Sequence, residues 1–167
     1  MQLPPLPDGV TQITFADFFK LPVGRKGLEF TSTIKALDGR RVRILGYMVA
    51  QCAPIPGQFM LTATPQTTHE HEYGLCDDLP AATLFVIMQE KQSEIVPHTP
   101  GLLLLTGVLN LGTREEPDGR VSTVRLLLDP RAPASAPSGC PTAATQPAAR
   151  SDTTAPRRGG DNCGHRH

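Results

Sequence analysis

Leu102-Leu103-Leu104-Leu105-Thr106-Gly107-Val108-Leu109-Asn110-Leu111 is the stretch on which the reading of this chain turns. It is long and apolar, and the glycine in its interior predicts a bulge or a sharp bend in a β-strand. The next apolar run, Val121–Leu128, pairs with it through residues 112–119, and the Asp118-Gly119 end of that connection is a strong turn signal. A β-hairpin therefore closes the ordered part of the chain.

Working back from that hairpin, Gly and Pro punctuate the sequence every ten to fifteen residues, the rhythm of short strands. Residues 41–49 open with Val42 and Ile44 alternating against Arg41 and Arg43, then become apolar on both faces. Residues 58–64 place Phe59, Leu61 and Ala63 on one side, and residues 83–88 form a continuous apolar run with β-branched members. Two short helices are predicted ahead of these strands. Thr14 caps a turn through Phe15, Phe18 and Phe19 that stops before Pro22, and Ser32 caps residues 33–37. The fold class expected is mainly β: a small five-stranded OB-like barrel with one or two short N-terminal helices. Gly46 and Gly107 would sit where the first and fourth strands turn a barrel corner. A small sandwich and another β-roll are the competing architectures.

The 167 residues allow one domain and little more. From Pro130 to His167 there is no Val, Ile, Leu, Met, Phe, Tyr or Trp, so that segment buries almost nothing against the ~1–2 kcal/mol per residue that ordering costs. The expected organisation is an N-terminal extension over 1–9, an OB-like β-barrel domain over 10–129, and a disordered Ala/Pro/Thr/Arg-rich tail over 130–167. Sixteen basic residues balance sixteen acidic ones. The tail holds five Arg against Asp152 and Asp161, which makes it +3 and the body −3. Seventeen Pro and fifteen Gly are too many for a helical bundle, and no apolar run approaches the ~20 residues of a bilayer span. The opening Met1-Gln2-Leu3-Pro4-Pro5 lacks a basic n-region and an apolar h-region, so no secretory signal is expected, and the location is cytoplasmic if this start is the true one.

The stretch Leu37-Asp38-Gly39-Arg40-Arg41-Val42-Arg43-Ile44-Leu45-Gly46-Tyr47-Met48-Val49 resembles the LDGKxVxIxGYMV signature of an uncharacterised bacterial family of small exported proteins. Phe59-Met60-Leu61-Thr62, and His71-Glu72-Tyr73-Gly74 through Asp77-Asp78-Leu79-Pro80, resemble its loop region. The likeness covers about residues 30–128. It implies an OB-like barrel, a periplasmic or envelope-associated location, and partners among ABC transporter components or other envelope proteins.

The densest chemistry is Thr68-His69-Glu70-His71-Glu72-Tyr73-Gly74-Leu75-Cys76-Asp77-Asp78. In extended chain His69 and His71 project to one side and Glu70 and Glu72 to the other. Imidazole and thiolate suit Zn²⁺, so His69, His71, Cys76 and Cys52, which ends the first strand, are the candidate metal ligands. Their spacing, C-x16-H-x-H-x4-C, matches no standard zinc module. The bland reading is an exposed polar loop whose histidines titrate in water. In an exported protein Cys52 and Cys76 are also the natural disulfide pair, and a disulfide excludes a zinc site on the same sulfurs.

Other chemistries have less support. No nucleophile elbow, phosphate-binding glycine loop, dinucleotide fingerprint or H-E-x-x-H is present, so a non-enzymatic protein is expected. Nucleic-acid binding needs a basic groove with stacking aromatics. Arg40, Arg41 and Arg43, with Arg25 and Lys26, read instead as a solvated edge on an acidic body. His98 reads as a loop residue, and Met48, Met60 and Met88 as core. The function expected is a binding or accessory protein of a bacterial envelope transport system, zinc-related. A metal-free OB-like protein-interaction adaptor is the alternative, and single-strand binding a distant third.

Overall fold

The computed structural model describes residues 3–68, residues 79–130 and the backbone of Ala134–Ser135. Its strands are β1 (Thr11–Ile13), β2 (Arg41–Met48), β3 (Gln58–Thr62), β4 (Leu84–Met88), β5 (Leu102–Glu115), β6 (Val121–Leu128) and β7 (Ala134–Ser135). A 3-10 turn (Phe15–Asp17) and one helix, α1 (Ser32–Ala36), are the helical elements among the described residues. The protein is mainly β, built on one mixed sheet. The five strands legible in the sequence are β2 to β6.

Neighbours in the sheet run β1-β2-β3-β4-β6-β5-β7, and β5 also pairs with β2. Each strand from β2 to β6 therefore has a hydrogen-bonded neighbour on both sides. The β2–β3, β3–β4, β5–β6 and β2–β5 pairs are antiparallel, and β4–β6 is parallel. Alternate residues of the five strands point to a single core, as the pleat requires. Val42, Ile44, Leu61, Leu84, Val86 and Leu105 are all fully buried in it. Phe18, which caps the 3-10 turn, and Ile34 of α1 join it, both with no exposed surface. A smaller cluster of Val49, Met60 and Phe85, with Leu79 against it, covers the opposite face of β3 and β4.

The fourteen residues of β5 divide their pairing. Residues 102–108 run beside β2 and residues 107–115 beside β6, so Gly107 faces both Val42 and Leu128. A Cβ at Gly107 would lie 2.9 Å from the carbonyl carbon of Leu127 and nearer still to its oxygen. The glycine thus lets two backbones approach. The irregularity expected there falls later, as a register shift between Leu111 and Arg114. Gly112 supplies it with a φ of +124°, a conformation other residues rarely adopt. On the inner face of β2, a Cβ at Gly46 would meet Leu61 and Phe15 side-chain atoms at 2.9 Å.

The N-terminal elements depart from the sequence reading in detail. Asp17 closes the first turn by accepting hydrogen bonds from the Thr14 amide (2.7 Å) and hydroxyl (2.8 Å). The cap of α1 is Thr31, whose Oγ1 accepts from the Ile34 amide at 3.1 Å, with Ser32 already helical. Thr31 wins because its hydroxyl also donates to the Asp17 carbonyl, joining both helical turns. Thr31→Val keeps the shape and removes both bonds. It is expected to lower stability by about 1–2 kcal/mol, read as a lower urea midpoint at unchanged slope. The parallel strand β1 was not anticipated, since three residues show no period.

Candidate functional site

Residues 49–52 and 66–68 run side by side where the β3–β4 connection leaves the sheet. Val49 donates to the Met60 carbonyl at 2.9 Å, Ala50 to the Gln66 carbonyl at 2.9 Å, and Thr68 to the Ala50 carbonyl at 2.9 Å. Cys52 is an exposed free thiol, and its Sγ donates to the Thr68 carbonyl at 3.1 Å. Thr68 is buried, and the residue after it is His69. The fold therefore brings one of the four expected ligands to the root of the segment that carries the others. His69, His71 and Cys76 lie outside the described residues. Among the described residues no three His, Cys, Asp or Glu side chains gather as a metal site.

Beside this root is a cavity of about 210 Å³, lined by Tyr47, Ala50, Gln66, Thr67, His98 and Pro100 among others. His98, read from sequence as a plain loop residue, places Nε2 3.2 Å from the Met48 carbonyl, and the Thr99 amide donates to the Met48 sulfur at 3.4 Å. These bonds tie the β4–β5 connection to the end of β2. The sequence offers little signal for that role: a histidine between Pro97 and Thr99-Pro100 sits in no periodic pattern.

Two of the basic residues near β2, Arg41 and Arg43, are engaged structurally. Arg43 is buried rather than solvated, because its guanidinium donates to Gln12 Oε1 at 2.7 Å and to the carbonyls of Pro4 at 2.8 Å and Pro5 at 3.2 Å. It pins the N-terminal segment to the sheet. Arg41 pairs with Asp129.

A second polar cluster lies at the β5–β6 hairpin. Arg125, buried, donates to Asn110 Oδ1 at 3.0 and 2.7 Å, to the Gly112 carbonyl at 2.8 Å and to Ser122 Oγ at 2.8 Å. Ser122 in turn donates to Glu116 Oε1. Burial holds the Arg125 guanidinium below its ordinary pKa, and the Glu116 charge opposes that shift. Arg114 stands 3.7 Å from Glu116 Oε2, an oxygen with no hydrogen-bond partner among the described residues. A buried arginine tied to a carboxylate through one hydroxyl is a clamp on the hairpin.

No protein-family model matches the sequence, and no curated protein matches it. Among solved structures, the chain is similar to the crystal structure of a DUF3299 family protein from Pseudomonas aeruginosa PAO1. The two share 14% identity with a TM-score of 0.45, over 77% of this chain and 98% of that one. Among the described residues no helix is long and apolar enough to cross a membrane.

Proposed function

We propose that this chain is a non-enzymatic, OB-like barrel module that binds Zn²⁺ as an accessory to a bacterial envelope transport system. Two features support the barrel reading. Pairing runs from β2 through β3, β4, β6 and β5 and returns to β2, and its one parallel step is β4–β6. The observation that carries the metal reading is the Cys52 thiol, 3.1 Å from the carbonyl of the residue preceding His69. A thiol at the root of a two-histidine segment supplies the soft donor that a Cys52, His69, His71 and Cys76 set requires. The zinc would serve as a bound ion, and the four side chains would hold it.

Elemental analysis of the reduced full chain tests this directly. About one zinc per chain is expected, since thiolate and imidazole sites bind tightly near neutral pH. Replacing His69 and His71 together by Ala should abolish the uptake with the thermal midpoint of the barrel retained. Unchanged stoichiometry in that variant, or a Cys52–Cys76 disulfide in metal-free protein, overturns the reading.

The metal-free adaptor draws support from a different observation, a groove of about 230 Å³ lined largely by apolar side chains including Leu28, Leu79, Phe85 and Val121. Single-strand binding is weakened by the engagement of Arg41 and Arg43.

A further inference from the structure

Residues 19–30 form an exposed turn closed by a narrow neck. The neck is the stacked pair Phe19 and Phe30, ring centroids 5.3 Å apart, joined by a β-bridge. Above it Lys20 donates its amide to the Glu29 carbonyl at 2.8 Å, and Gly27 donates to the Gly24 carbonyl at 3.0 Å across the turn. The sequence Leu21-Pro22-Val23-Gly24-Arg25-Lys26-Gly27-Leu28 then sets three aliphatic side chains around two cations. Leu21 is 78% exposed, Val23 53% and Leu28 47%.

Isolated exposed aliphatics are ordinary, but three within eight residues of one braced turn are not. The charge there also has no partner among the described residues. Lys20 and Glu29 pair with each other at 3.3 Å, while Arg25 and Lys26 pair with no described carboxylate. Residues 1–129 as a whole carry −3, so this turn is a positive point on an acidic body. Aliphatics flanking two cations that no described carboxylate pairs match a fluid, negatively charged surface that asks for no fit.

We infer that the 19–30 turn docks this protein on a bilayer carrying anionic phospholipid headgroups, with Leu21 and Val23 entering the interface and Arg25 and Lys26 meeting the phosphates. The inference goes beyond the zinc reading and does not rest on it. Because the neck already holds the turn, docking orders little new chain.

The test is flotation of the full chain with unilamellar vesicles of phosphatidylcholine alone, or containing about one-third phosphatidylglycerol. The protein is expected to float with the anionic vesicles and to be released by salt. Arg25→Gln with Lys26→Gln should weaken partitioning about thirtyfold, two charges at about 1 kcal/mol each. Leu21→Asp with Val23→Asp should weaken it by about tenfold or more, with the thermal midpoint unchanged because both sites are exposed. Three results overturn the inference. One is failure to float with the anionic vesicles. Another is equal flotation with pure phosphatidylcholine. The third is undiminished binding of the aspartate variant, which would assign the interaction to the basic segment 130–167.

Discussion

Gly107→Val should leave the protein largely unfolded at room temperature. The cause is a backbone collision, since a Cβ at this position falls 2.9 Å from the Leu127 carbonyl carbon and closer to its oxygen. No rotamer relieves a clash made by the Cβ itself. Either β6 moves away from β5 or the pairing of residue 107 with Leu128 is lost. Because residue 107 also pairs with Val42, displacement in the other direction strains β2. Gly107→Ala should cost about 3 kcal/mol and Gly107→Val about 5 kcal/mol or more, at the far end of what single substitutions do. Against a typical total stability of about 5–15 kcal/mol, the valine variant retains little reserve. Urea denaturation followed by far-ultraviolet circular dichroism reads both. An alanine variant within about 1 kcal/mol of the parent would show that β5 and β6 are not held this close at Leu127.

Arg125→Met carries the other large effect, and its interpretation needs a partner substitution. Arg125 satisfies Asn110, Gly112 and Ser122 at once, and Ser122 passes a hydrogen bond to the fully buried Glu116 carboxylate. Without the guanidinium, Arg114 still stands 3.7 Å from that carboxylate, but the hydrogen-bonded path through Ser122 has lost its cation. A loss of about 3–5 kcal/mol is expected, the usual result when one member of a buried charged set is deleted. Glu116→Leu in the same chain should recover most of it, because the desolvated charge disappears with its counter-charge. The double-mutant cycle should yield a coupling of about 3 kcal/mol, the upper end of what neighbouring residues show. Additive losses would mean that Ser122 does not relay between the two groups.

How much of this was legible beforehand depended on period and on distance along the chain. Strands β2 to β6 each carry alternation or an uninterrupted apolar run, and β6 begins and ends where the pattern does. The apolar pattern of β5 ends four residues before the strand does, because Gly112 looks like a turn residue while serving as the irregular point within a continuing strand. Contacts between distant segments left no local trace. Arg43 reads as solvent-facing by alternation, yet Pro4, Pro5 and Gln12 cover it. Thr31 and Ser32 are equally good caps in isolation, and a carbonyl fourteen residues away decides between them. At the candidate site, the sequence puts Cys52 where the histidine segment could return, and the structure puts it at Thr68, where that segment begins. The anchoring of His98 to Met48 spans fifty residues and had no periodic signature.

The divided loyalty of β5 has a bearing on how the molecule breathes. A strand at the margin of an ordinary sheet can peel off alone, but β2 through β6 must each break two seams to leave. Amide hydrogens along residues 102–111 and 121–128 should then exchange together, through one global opening. The short β1 and the 19–30 turn, each held along one side, are free to open on their own and exchange orders of magnitude sooner.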